Sequence, residues 1–179
     1  GRSGFPGGDF WNEKIGPEYI SMAFRWAREA DPNAVLIFNE VNNEEPRDDN
    51  TEWVVENMLA KVRELKEQGV PIDVVGMQMH LLLPAAGASQ IPPTKEGVLE
   101  TMQRFGELGV IIYITEMDVD LEAVEGTQEE KWQFEADLYR NMAEACIESG
   151  VCDSFSTWGI SDKDSWLTCT EWLGCQNLP

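Results

Sequence analysis

The sequence is short of positive charge, of histidine and of long apolar runs, and each shortage removes a class of function. Thirteen Lys and Arg face thirty-three Asp and Glu, a formal charge of -20. Such a surface repels phosphate backbones and anionic lipid headgroups. Nucleic acid and membrane surfaces are therefore not expected as partners, whereas a neutral substrate such as a sugar is electrostatically permitted. No stretch approaches the ~18 consecutive apolar residues of a membrane-crossing helix. A single histidine and the absence of G-x-S-x-G argue against a serine nucleophile. G-x-G-x-x-G and G-x-x-x-x-G-K-[ST] are missing as well, so no nucleotide cofactor is expected. The N-terminal "GRSGFPGGDF" has no apolar core and does not read as a signal peptide.

What is present is core material. In 179 residues, 42% are hydrophobic, with seven Trp and seven Phe, the composition of a chain that folds around one sizeable core. Four Cys fall as two C-x5-C pairs, Cys146 with Cys152 and Cys169 with Cys175. Neither pair has the spacing of a zinc knuckle or of a redox C-x-x-C. An even count of closely spaced Cys suggests disulfides and an oxidising compartment; reduced thiols are the alternative, and the spacing leaves the pairing open.

The order of elements reads α-β-α-β-α-β-α-β. Residues 1–16 are Gly-rich and predict a loop. Pro17 and the apolar Ile20, Ala23, Phe24 and Ala27 predict a helix over 17–30. Further helices are predicted over 51–68, 94–108 and 128–149, the first two followed by Gly69 and Gly109 and the last by Gly150. Between them lie the strand-like runs "VLIFNEVN", "PIDVVGMQMHLLL", "VIIYITEMDVDLE" and "SFSTWGI". Strands apolar on both faces that alternate with amphipathic helices indicate a parallel sheet covered by helices, either a doubly wound sheet or a β/α barrel. Asn39, Glu40 and Asn42, then Gln78 and His80, then Glu116 and Asp118, then Trp158 lie at the C-terminal ends of four successive strands. A barrel gathers those ends on one face, which favours the barrel.

The lone His80 and the pair Glu116 and Asp118 are the candidates for chemistry. Side chains two apart on a strand share a face, so these two carboxylates are neighbours that need a donor if both are ionised. One reading is a carboxylate nucleophile or base held by His80, with Asp118 orienting the imidazole. The other is a solvated strand end beside a satisfied core histidine. A hard-cation site on Glu116, Asp118, Asp120 and Glu122 is a third, disfavoured because strand alternation spreads these acids along one edge; no metal is expected. Trp158 and Trp166 bracket the last strand end, where a Trp could serve the core or face a sugar ring.

Taken together, "FNEVN", "GMQMHL", "YITEMDV" and "TWGISDKDSW" closely resemble the glycoside hydrolase family 10 endo-1,4-β-xylanases, and "IGPEYISMAFRWAREADPNAVLIFNE" extends the resemblance over nearly the whole chain. The resemblance implies a retaining enzyme, secreted, that cleaves internal β-1,4 bonds of xylan inside a (β/α)8 TIM barrel. By its motifs Glu116 corresponds to the nucleophile, held by His80 and Asp118. Gln78, Asn39 and Asn42 correspond to cleft residues, and Trp158 and Trp166 to aromatic walls around the sugar. Cys146 with Cys152 resembles a disulfide of many members; Cys169 with Cys175 has no counterpart and is expected to staple the last β/α loop.

The departures bear on mechanism. Val41 stands where the family has the Tyr of N-D-Y-N, and Glu40 where it has the Asp, which alters the leaving-group side. The family's acid/base Glu sits in an N-E motif at the fourth strand end, upstream of the segments matched here. Residues 1–179 are thus expected to form a partial domain, helix four to strand eight, lacking the first four strands and the last helix. Such a half barrel has open sheet edges and should need the N-terminal half for activity. A non-catalytic carbohydrate-binding fragment, half of a split enzyme and a related barrel β-glucanase are the alternative functions.

Overall fold

The computed structural model describes residues 10–83, 88–161 and 165–167. Two helices open it, α1 (Phe10–Ile15) and α2 (Tyr19–Ala30), followed by β1 (Ile37–Glu40) and α3 (Asp49–Glu67). Then come β2 (Val74–Met77), β3 (His80–Leu81), α4 (Lys95–Gly106), β4 (Ile111–Val119), α5 (Gln128–Ser149) and β5 (Cys152–Thr157). α1 corrects the expected Gly-rich loop: the glycines stop at Gly8 and resume only at Gly16. It buries nothing, so no periodic apolar face announces it. Pro17 falls in the turn before α2 rather than in its first turn.

Side chains cap the starts of α3, α4 and α5. Asp48 accepts from the backbone N–H of Asn50 and Thr51 at the start of α3, Thr94 accepts from Gly97 N–H at α4, and Thr127 with Glu130 forms a reciprocal capping box at α5. Each cap satisfies N–H groups that the first turn leaves orphaned. Gly150 closes α5 at φ +67°, a left-handed position that costs glycine nothing. α3 faces the strands with Val54, Val55, Met58, Leu59, Val62 and Leu65.

All strand pairings are parallel, with β1 beside β2, β2 beside β4 and β4 beside β5. β3 continues the line of β2 after a break at Gln78 and Met79 and also pairs with β4. Each strand is added beside its predecessor with no reversal of order. A doubly wound sheet requires such a reversal; this is an arc of a β/α barrel. The core lies between strands and helices, where Val75, Met77, Ile112 and Ile114 meet Met58, Val62, Met102, Phe105 and Met142. On the opposite, barrel-interior face Ile37 and Ile111 remain 38% and 40% exposed.

Phe105 is fully buried in this core. Its replacement by Ala should cost about 3–5 kcal/mol through lost burial and the cavity left behind. Ile147→Ala, at a 79% exposed site on α5, should cost less than about 0.5 kcal/mol; urea unfolding of both variants makes the comparison.

Candidate active site

The parallel register of β3 and β4 places His80 opposite Asp118. The imidazole Nδ1 lies 2.8 Å from Asp118 Oδ1, and Nε2 lies 3.2 Å from Glu116 Oε2. Burial by itself would push His80 below its ordinary value. The hydrogen bonds and negative charges of Asp118 and Glu116 outweigh it and raise the pKa. As an imidazolium, His80 donates to both carboxylates at once. Trp166 adds a second donor to Asp118, Nε1 to Oδ2 at 2.5 Å. Its ring lies edge-on to His80 with centroids 4.9 Å apart, and the half-exposed Trp158 stands edge-on from the other strand end at 6.1 Å.

Glu116 reaches this cluster because β4 is irregular. Between the pairs Ile114 with Phe155 and Met117 with Thr157, β4 places Thr115 and Glu116 against the single Ser156 of β5. This is a β-bulge, which re-aims the side chains that follow it. Ile112 and Ile114 before it and Met117 and Val119 after it all enter the core. Thr115, Glu116 and Asp118 are left on the barrel interior. There Asn39 Nδ2 donates to Glu116 Oε1 at 2.8 Å. Each Glu116 carboxylate oxygen therefore has a donor, Asn39 on Oε1 and His80 on Oε2.

Other sequence candidates take different places. Gln78 sits in the break between β2 and β3, its backbone N–H donating to Glu40 O at 3.1 Å. Asn42 is 1% exposed in the turn after β1, with φ +62°, a left-handed conformation that Asn tolerates better than most residues. Asn43 Nδ2 ties that turn to Gly76 O at 3.0 Å. Glu40 points the wrong way for chemistry with Glu116. Phe38 packs its ring on Phe24 of α2, and the two-residue period of β1 puts Glu40 on that same helix-facing side. Burial raises its pKa, partly offset by the Val41 N–H that its carboxylate accepts. Cys146 and Cys152 are disulfide-bonded, joining the end of α5 to β5. Cys169 and Cys175 lie outside the described residues. Among the described residues, no three His, Cys, Asp or Glu side chains are grouped to hold a metal ion, and no helix is long and apolar enough to cross a membrane.

The sequence model of Glycosyl hydrolase family 10 matches residues 6–177. The chain belongs to this family. Endo-1,4-β-xylanase B of Thermotoga neapolitana is 39% identical over 157 residues, covering 88% of this chain and 42% of the relative. The Agaricus bisporus endo-1,4-β-xylanase is 36% identical over 155 residues, covering 87% of this chain and 42% of the relative. The crystal structure of xylanase 10B from Thermotoga maritima superposes with a TM-score of 0.79 at 35% identity, covering 93% of this chain and 48% of that one. Xylanase 10B of Thermotoga petrophila, solved in complex with xylobiose, gives 0.77 at 35% identity, covering 93% of this chain and 47% of that one. The family 10 chain thus spans less than half the length of these relatives, and its arc of parallel strands is part of the family's (β/α)8 barrel.

A sole histidine makes the site's protonation directly readable. The His80 ring signals in NMR should titrate with a midpoint above about 6.5, the unperturbed value. Because the folded-state pKa is raised, the imidazolium's contribution to stability is complete below the unfolded-state value and is lost as pH rises through the folded one. Urea unfolding free energy should fall across that window, and His80→Asn should flatten this part of the profile.

Proposed function

We propose that this chain carries the nucleophile side of a retaining endo-1,4-β-xylanase, a secreted enzyme acting on xylan and xylo-oligosaccharides. The observation that carries the reading is Glu116 itself, an acid at a strand end with both oxygens held by donors, Asn39 and His80. Relatives named as endo-1,4-β-xylanases and a solved relative bound to xylobiose support xylan as the substrate. The Cys146–Cys152 disulfide supports export to an oxidising compartment.

In this reaction a Glu116 oxygen attacks the anomeric carbon, forming a C–O bond as the glycosidic C–O bond breaks. A carboxylic acid protonates the departing oxygen. That group, now a carboxylate, then takes a proton from water, which displaces Glu116 and restores the original configuration. Trp158 and Trp166 wall the sugar on the nucleophile side, and Gln78 and Asn39 lie at the strand ends facing it. Retention requires the second carboxyl about 5–5.5 Å from the first. Glu40 faces the helices, and Asp118 is committed to His80 and Trp166. The acid therefore comes from the barrel half that this chain does not span, and the chain forms a partial catalytic domain, helix four to strand eight.

This chain alone should release no reducing sugar from xylan, and supplying the first half of a family 10 barrel should restore release, more on xylan than on cellulose. In the assembled barrel Glu116→Gln should lower turnover by at least about 10³-fold, as loss of a covalent nucleophile does. Hydrolysis by the chain alone would overturn the assignment of the acid; an active Glu116→Gln variant would overturn the nucleophile.

A further inference from the structure

We propose that Thr115 is a positioning residue for the nucleophile: its hydroxyl fixes the orientation of the Asn39 amide, and Gly76 leaves the space that amide occupies. The proposal rests on the reading of Glu116 as nucleophile. Thr115 Oγ1 lies 2.8 Å from Asn39 Oδ1, and Asn39 Nδ2 lies 2.8 Å from Glu116 Oε1. An ionised carboxylate only accepts, so the amide must turn its NH₂ to Glu116 and its oxygen to Thr115, which then donates. Were the amide to rotate by half a turn, its oxygen would face the Glu116 carboxylate. Thr115 holds the favourable rotamer, and the bulge at Thr115 and Glu116 is what brings two consecutive side chains of β4 onto one partner.

The third wall is Gly76, opposite Asn39 in the register of β1 and β2. A Cβ at this position would stand 2.3 Å from Asn39 Oδ1 and 3.1 Å from Ile37 Cγ2, so any other residue displaces the amide. Ordinary strand alternation would hide this set, because it assigns Thr115 and Glu116 to opposite faces.

The test uses the assembled barrel and a 2-deoxy-2-fluoro-β-xylobioside with a dinitrophenyl leaving group. That probe traps the glycosyl-enzyme and needs no acid to expel its aglycone. Thr115→Val should slow the inactivation rate constant roughly tenfold, the effect of one misplaced donor, with the probe's binding constant nearly unchanged. Thr115→Ser should restore the rate, and Gly76→Ala should reproduce the loss. On an Asn39→Ala background Thr115→Val should have no further effect, because both act through one contact. Wild-type rates in Thr115→Val, failure of Ser to rescue, or full additivity with Asn39→Ala would each overturn the proposal. Normal labelling of Glu116→Gln would instead overturn the nucleophile on which it rests.

Discussion

Glu116 and Asp118 stand two residues apart on one strand end, and two ionised carboxylates so placed repel each other unless a donor lies between them. His80 is that donor, and much of the local structure exists to put it there. The strand that begins as β2 breaks at Gln78 and Met79 and resumes as β3, with Met79 at φ +58° and Leu82 at φ +59°. Backbone in that region is costly for a side-chain-bearing residue. Both residues are buried in the core cluster, whose packing compensates. The result is a His80–Asp118 pair in register, with the imidazole 6% exposed. The net upward displacement of its pKa, against the pull of burial, reflects the paired acids rather than solvent.

The same economy governs β4. A regular strand would have sent Glu116 into the helix layer with Ile112 and Ile114. One extra residue opposite Ser156 reverses the alternation, so that Met117 enters the core and Glu116 leaves it. The helix layer fixes the strand ends from behind. Tyr139 of α5 donates to Met117 O at 3.2 Å, and the disulfide joins α5 to β5. Glu45, in the turn after β1, accepts from both the N–H and the hydroxyl of Thr94 at 2.7 Å, which clamps that turn to the start of α4. The mouth is irregular backbone, held by regular elements.

The helices were legible because their signals are local. α5 spans 128–149 as expected from its apolar period and Gly150, and the structure adds its Thr127 cap. The barrel arc was legible from polar residues collected at strand ends, and family 10 from four ordered motifs. Three features were not. α1 buries no side chain and so has no apolar face to read. The break between β2 and β3 lies inside the strand-like run "VVGMQMHLLL", in which no Gly or Pro marks Met79 as left-handed. The part played by Thr115 depends on a bulge set by the partner strand, which a single strand's sequence does not contain. Glu40 is turned toward the helices together with Phe38, two residues earlier on the same strand.

Charge placement joins the composition to the proposed reaction. The arginines and lysines in the described ion pairs are engaged in the helix layer and its loops, as in Arg28 with Asp73, Lys95 with Glu144 and Glu148, and Arg104 with Glu56. At the strand ends the cation paired with Glu116 and Asp118 is His80, so with all three ionised the cluster carries a net negative charge. A neutral sugar ring gains little from that field. An anomeric centre developing oxocarbenium character gains much more, since the charge appears only as the glycosidic bond breaks. In the proposed reaction, selective stabilisation of the transition state follows if His80 balances one acid and leaves the other uncompensated. A second cation at the cleft would hold both carboxylates more firmly and stabilise the developing positive charge less.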